Sequence, residues 1–180
     1  EGKYILLSAH REENIDIEAN FLSLMNAINA MAEAYQVPVV YSMHPRSKKM
    51  IEQRAFRLHP LVRALPPFGF LDYNRLQRGA MCVVSDSGTL PEEANFFKFA
   101  AVCIRTSTER PESLEKGNFV LGGITERELI NAVRMAVDMK SNGEAGADVP
   151  DYADGNVSMK VVQIIEGYTG IVDRVVWGKR

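Results

Sequence analysis

Short, wholly apolar runs alternate along this chain with longer segments whose apolar residues recur at helical spacing. Residues 4–8 and 37–43 read as buried strands, and Pro45 stops the second. Between them Ile17, Phe21, Leu24, Ile28 and Met31 fall on one face of an amphipathic helix ending near Tyr35. Residues 47–57 are charged and helix-tolerant, with Ser47, Lys48 and Lys49 expected in solvent. Residues 62–65 make a short strand closed by Pro66-Pro67, and Asp72 is placed to cap a helix through Leu76 to Arg78. A fourth strand is expected at 81–85, a helix at 91–99 with Pro91 in its first turn, a fifth strand at 101–104 and a sixth at 118–121. Thr125-Glu126-Arg127-Glu128 has capping-box spacing and opens a helix through Ile130, Val133, Val137 and Met139. Residues 141–155, rich in Gly, Asp and Ala, read as a mobile surface loop. Residues 156–168 read as a last helix, and the tail 169–180, with Val175, Val176 and Trp177, as a segment that docks on a neighbouring surface.

Strands without polar alternation, separated by helices, mean a parallel sheet covered on both faces: a doubly wound α/β domain. Ligands in such sheets bind beyond the carboxyl ends of the strands. His10, His44, the turn Ser85-Asp86-Ser87-Gly88 and the segment 105–110 all follow strands, so they are expected on one rim.

Composition narrows the partners. With 180 residues, 46% of them hydrophobic, the chain can bury one full core. A net charge of −2 gives no basic field for nucleic acid. No apolar run approaches the roughly 20 residues that span a bilayer, and no signal-peptide pattern opens the chain, so a cytoplasmic protein is expected. Cys82 and Cys103 lie inside apolar runs and read as small buried hydrophobes without metal spacing. Glu1-Gly2-Lys3 leads directly into a strand, as if the chain began mid-protein.

Candidate chemistry gathers at the strand ends. Ser85-Asp86-Ser87-Gly88-Thr89-Leu90-Pro91-Glu92-Glu93 joins a strand to a helix. Its small residues would let an anion approach backbone N–H groups at the positive end of the helix dipole, and its glutamates could accept from hydroxyls. That combination suits a nucleotide or nucleotide-sugar; an ordinary capped turn is the alternative. In Ser8-Ala9-His10-Arg11-Glu12-Glu13-Asn14, His10 can exchange protons near neutral pH and Arg11 can pair with phosphate, or His10 simply bonds a loop carbonyl. His44-Pro45-Arg46 is either a second such histidine or a structural turn. Arg105 and Arg110 bracket a hydroxyl-rich loop and suit a diphosphate, or Arg110 clamps Glu109, Glu112 or Glu93. Phe68-Gly69-Phe70-Leu71-Asp72-Tyr73 could present an aromatic face to a base, or cover the core.

Three segments in this order and spacing, His10 to Asn14, Ser85-Asp86-Ser87-Gly88 with Glu92-Glu93, and Thr108-Glu109-Arg110-Pro111-Glu112, resemble the non-hydrolysing UDP-N-acetylglucosamine 2-epimerase family. The resemblance covers nearly the whole chain as that family's C-terminal domain, one Rossmann-like half of a GT-B-type two-domain enzyme. It implies a UDP-binding domain at 1–168, a tail at 169–180 docking on an N-terminal domain outside this chain, and a homodimer at full length. It implies C2 proton removal with loss of UDP, a 2-acetamidoglycal intermediate and UDP re-addition, without NAD or a metal. His10 matches the active-site histidine, Ser87 and Gly88 the phosphate turn, Glu93 the ribose acceptor, and Arg110 a substrate-binding arginine. Tyr73 matches an aromatic near the uracil and His44 a histidine of an allosteric UDP-sugar site. Arg11, Glu12 and Thr89 complete the substrate-binding set that the resemblance implies.

The chain departs from the commonest form at Glu12, where that form has a second arginine, and at Thr89, where it has a second glycine. His44-Pro45-Arg46, Phe68-Gly69-Phe70 and the 169–177 tail look more like a subgroup that makes UDP-N-acetyl-L-fucosamine for capsule or O-antigen. A GT-B glycosyltransferase donor domain and a non-catalytic nucleotide-sugar sensor are the competing expectations.

Overall fold

The structure is a computed structural model that describes residues 2–179. The chain divides into two compact units, Glu1–Val149 and Pro150–Arg180.

The first unit is built on six strands, all parallel: β1 (Ile5–Ser8), β2 (Val39–Ser42), β3 (Val62–Leu65), β4 (Cys82–Ser85), β5 (Ala101–Cys103) and β6 (Val120–Leu121). Their order across the sheet is β3-β2-β1-β4-β5-β6. This is the doubly wound, Rossmann-like arrangement expected from the uninterrupted apolar strands. β1 sits centrally with Leu6 opposite Val40 on one side and Val83 on the other. Because side chains alternate, Ile5, Leu7, Cys82 and Val84 enter one core cluster while Leu6, Val83 and Ala101 enter another.

Helices cover both faces. α1 (Glu12–Ile15), α2 (Glu18–Tyr35) and α3 (Pro45–Gln53) follow β1 and β2; α4 (Phe70–Gly79) precedes β4; α5 (Leu90–Phe97), α6 (Pro111–Glu115) and α7 (Glu126–Ser141) complete the unit. Phe21, Leu24, Ile28 and Met31 of α2 pack with Leu129 and Val133 of α7 on the first face. Leu90 and Ala94 of α5, with Tyr73 and Leu76 of α4, cover the second. The Glu128 carboxylate accepts from Thr125 N at 3.3 Å and Oγ1 at 2.7 Å, so the start of α7 is capped as its spacing predicts. Cys82 and Cys103 are free and buried, and burial pushes their thiols up to about 12 and about 11, which keeps them inert.

Three expectations are corrected, and one element was not foreseen. Asp72 does not cap α4: Gly69 is the N-cap, and Asp72 lies in the first turn, where its charge suits the dipole. Ser47 is not solvated but fully buried, its hydroxyl donating to Ala9 O at 2.6 Å. The four-residue α1 has no periodicity of its own to announce it. The segment after α7 is pinned rather than loose through Val149. Ala147 N donates to Lys116 O at 2.9 Å, Asn118 Nδ2 to Ala147 O at 3.0 Å, and Val149 N to Asn95 Oδ1 at 2.9 Å.

The second unit holds a short 3-10 turn (Pro150–Tyr152) and α8 (Val157–Val175). α8 runs unbroken past Tyr168 to Val175, so the first part of the expected tail is helical. Val161, Ile164, Ile165, Tyr168 and Val175 are exposed along it, and Trp177 just beyond its end. Among the described residues no helix is long and apolar enough to cross a membrane.

Gly146 is where the pinned segment meets the sheet edge. A Cβ there would lie 2.5 Å from Asn118 N and Gly117 C, backbone atoms that cannot move aside. Gly146→Ala is expected to cost about 1–3 kcal/mol in urea unfolding, as overpacking does. An unchanged midpoint would show that the segment is not held there.

Candidate functional site

In the order 3-2-1-4-5-6 the chain reverses its direction of travel between β1 and β4, and the crevice at their carboxyl ends is where such sheets bind ligands. The segment after β1 and the turn after β4 meet in that crevice, bound together by Asp86.

Asp86 is wholly buried. Its Oδ2 accepts from His10 N at 2.9 Å, Arg11 N at 2.9 Å and Asn14 Nδ2 at 3.2 Å. Its Oδ1 lies 3.1 Å from His10 Nδ1. Arg11 Nε in turn donates to Asp86 O at 3.1 Å, and Asn14 Nδ2 reaches Ile104 O at 3.0 Å. One carboxylate therefore organises both strand ends and anchors them to the segment after β5. Asp86 and Asn14 both fall in the strand-end motifs, but nothing in sequence order shows that they touch across 72 residues.

The His10 ring is partly exposed, and its pKa is raised above 6.5. The hydrogen bond to Asp86 is the largest cause, opposed by burial; the Asp86 charge adds to it and Arg11 counteracts. With Nδ1 committed to Asp86, Nε2 is the nitrogen left to meet a substrate. The His44 ring lies beside it at 5.7 Å between centroids. His44 Nδ1 accepts from Arg46 N at 3.2 Å and so caps α3.

The turn after β4 is braced by hydroxyls. Ser87 N donates to Ser85 Oγ at 3.0 Å, and Ser87 Oγ lies 3.1 Å from Thr89 Oγ1. Thr89 Oγ1 donates to Glu93 Oε1 at 2.9 Å. Arg11 Nη2 would stand 3.4 Å from a Cβ on Gly88, so the guanidinium overlies the turn. Ser87, Gly88, Thr89, Glu93, Arg11 and His10 are thus brought together.

The other expected residues are more varied. Glu12 is exposed and paired with Arg46 at 2.7 Å, on the outer side of α1. Tyr73 is half-buried in the second core; burial pushes its phenol up to about 12, with the nearby Ser8 and Ser85 hydroxyls working against the rise. Arg110 Nε donates to Glu92 Oε1 at 2.7 Å, a partner that the sequence does not single out. Arg105 is buried and bridges Glu13 and Glu109, each at 3.2 Å. Among the described residues no group of three or more His, Cys, Asp and Glu is placed to hold a metal ion.

A family model described as UDP-N-acetylglucosamine 2-epimerase matches residues 1–166. The UDP-N-acetylglucosamine 2-epimerase of Methanocaldococcus jannaschii is 29% identical over 166 residues, 90% of this chain and 44% of that protein. The structure of the enzyme of that name from Rickettsia bellii superposes with a TM-score of 0.80 at 32% identity, covering 98% of this chain and 47% of that one. The M. jannaschii enzyme solved in complex with UDP-GlcNAc and UDP gives 0.81 at 28% identity, covering 92% and 45%. The chain therefore spans less than half the length of these relatives.

The Asp86 geometry fixes the sense of a pH dependence. A histidine whose folded pKa is raised contributes stability that is complete below its unfolded value, about 6.5, and lost as pH rises through the folded value. In wild type the His10 ring is expected to titrate above 6.5 by NMR, and in Asp86→Asn to fall to 6.5 or below. A midpoint that does not move in the variant would remove Asp86 as the cause.

Proposed function

The chain belongs to the UDP-N-acetylglucosamine 2-epimerase family, and from that premise we propose that it is the C-terminal, UDP-binding half of a GT-B-type nucleotide-sugar 2-epimerase. The observation that carries this reading is the joining of His10 to the phosphate turn through buried Asp86, at the point where the sheet order reverses. A diphosphate resting on Ser87, Gly88 and Thr89 lies against the Arg11 guanidinium and within the reach of the His10 ring. Glu93, one helical turn into α5, then accepts from the ribose hydroxyls.

The chemistry follows from what must happen to charge. Loss of UDP from C1 as the C2 proton leaves puts negative charge on the diphosphate oxygen, and re-addition of UDP to the 2-acetamidoglycal reverses this. His10, whose proton is retained by Asp86, and Arg11 oppose that developing charge. Arg110, exchanging Glu92 for the substrate, holds the diphosphate or sugar. Tyr73 borders the uracil and Glu12 the substrate cleft. His44, beside His10, belongs to a second, allosteric UDP-sugar site.

The remaining acid and base lie in the N-terminal domain that the reading requires. Residues 1–168 are then the UDP-binding domain, and 169–180, exposing Val175, Val176 and Trp177, dock on that other domain. The chain alone binds UDP and does not epimerise; the full-length enzyme is a cytoplasmic homodimer. His44-Pro45-Arg46 and Phe68-Gly69-Phe70 favour the subgroup that converts UDP-2-acetamido-2,6-dideoxy-L-talose to UDP-N-acetyl-L-fucosamine for capsule or O-antigen.

NMR titration of UDP into the 180-residue chain is expected to give saturable shifts at residues 86–93, weakened about tenfold or more in Arg110→Ala and Glu93→Ala, as loss of a charged hydrogen bond implies. Full-length protein is expected to exchange solvent deuterium into C2 of its UDP-sugar. No shifts at millimolar UDP would overturn the binding reading. Sugar transfer without C2 exchange would point to a glycosyltransferase instead.

A further inference from the structure

The carboxylate of Glu93 is gripped from both oxygens, and one of the groups gripping it is a residue that no motif contains. Gln77 lies on α4 and is completely buried. Its Nε2 donates to Glu93 Oε2 at 2.5 Å. Thr89 Oγ1 donates to Glu93 Oε1 at 2.9 Å and stands 3.1 Å from Ser87 Oγ. A continuous chain of polar contacts thus runs from inside α4, through Glu93 and Thr89, to the phosphate turn.

The amide at Gln77 is not explained by packing. Its Oε1 is buried without a hydrogen-bond partner. Leucine or methionine would fill a comparable volume and leave no polar atom stranded, so a side chain selected only to fill space would not carry this cost. The reverse orientation of the amide would set Oε1 against the carboxylate, acceptor against acceptor. What the amide supplies is a donor directed at Glu93.

Resting on the reading of this site as a UDP site, we propose that Gln77 is a positioning residue that holds the Glu93 carboxylate in the plane needed to accept both hydroxyls of the ribose. In the same arrangement Thr89 ties that carboxylate to the phosphate turn. A carboxylate offers about four lone-pair positions. Gln77 and Thr89 occupy one on each oxygen, leaving one on each for a vicinal diol. Without Gln77 the carboxyl group is fixed at Oε1 alone and turns about its last torsion, which is broad for such groups. The two hydroxyls then lose their matched acceptors. Gln77 stands four residues after Tyr73, on the same side of α4, so one helix supplies the aromatic beside the base and the support for the sugar.

The test is a comparison of ligands that differ by one group. UDP, 2′-deoxy-UDP and UMP are titrated by NMR into the wild-type chain and into Gln77→Leu, Gln77→Met and Thr89→Val. Wild type is expected to prefer UDP to 2′-deoxy-UDP by about tenfold, the size of a hydrogen bond to a charged group. In Gln77→Leu that preference is expected to shrink to about twofold. The preference for UDP over UMP, which reports the second phosphate at Ser87 and Gly88, should stay unchanged. Gln77→Met gives the same comparison with an unbranched side chain if the leucine variant does not fold. Thr89→Val is expected to reduce the deoxy preference by a smaller factor.

An undiminished deoxy preference in the folded Gln77 variants overturns the proposal. So does a uniform loss in which all three ligands weaken by one factor, which is what a merely structural role produces. A wild-type chain that binds UDP but does not distinguish the deoxy ligand removes Glu93 as ribose acceptor. One that binds no UDP removes the site itself. These last two outcomes are failures of the underlying reading, separate from failure at Gln77.

Discussion

A carboxylate taken wholly out of water needs donors around it, and at Asp86, just after β4, they come from the segment that follows β1. The His10 and Arg11 backbone N–H groups, the Asn14 amide and the His10 ring all converge on it. The His10 and Arg11 backbone donors would lose their partner together if the acceptor were lost, which couples the segment after β1 to Asp86. Its consequence is positional. The histidine, the arginine and the turn after β4 cannot drift relative to one another, because the group that joins them also accepts from the His10 and Arg11 backbone. Asn14, by reaching Ile104 O as well, carries the same constraint across to β5.

The rest of the segment after β1 is secured from β2 and from α3 and its C-cap. The Ala9 carbonyl accepts from Tyr41 Oη at 2.9 Å and Ser47 Oγ at 2.6 Å, both buried side chains. Arg46 pairs with Glu12 and Asp16, while Arg54 donates to the Ile15 and Asp16 carbonyls and lies 4.4 Å from the Phe21 ring centroid. The exposed ion pairs contribute little, being open to solvent and salt. The carbonyl contacts matter more, because four residues of helix have no stability of their own and must be held from outside. α1 is a helix by virtue of its surroundings.

This explains which parts were legible in the sequence. The sheet was, since strands buried on both faces need uninterrupted apolar runs and β3 was placed at its observed residues, 62–65. The capping box at Thr125 was legible because its partners are three residues apart. The rim was legible as a rim, since strand ends imply one. The contacts within it were not. Asp86 to Asn14 spans 72 residues and Gln77 to Glu93 spans 16, and no periodicity encodes either. Polar composition also misled where tertiary bonds override it. Ser47 sits among lysines yet is buried on Ala9 O, and the Gly- and Ala-rich stretch after α7 is held to Lys116, Asn118 and Asn95. Glycine there serves close approach at Gly146 rather than mobility.

The two sides of the crevice differ in how readily their contacts can be exchanged. Asp86 is inaccessible and its partners are largely backbone, so a ligand has no means of competing for it. Arg110 is held through a partly exposed Glu92 on the opposite side, and Arg105 through the exposed carboxylates of Glu13 and Glu109. A carboxylate partner of that kind can be replaced by a diphosphate oxygen at little net cost, since one charge-assisted hydrogen bond gives way to another of similar strength. The β1–β4 side therefore keeps its geometry whether or not an anion is present, while the segment after β5 has contacts that an anion can take over. Under the proposed function, a site that holds UDP, releases it from the sugar and receives it again would draw on both properties: a fixed surface against which the diphosphate keeps its place, and cations whose partners can change as the charge on it changes.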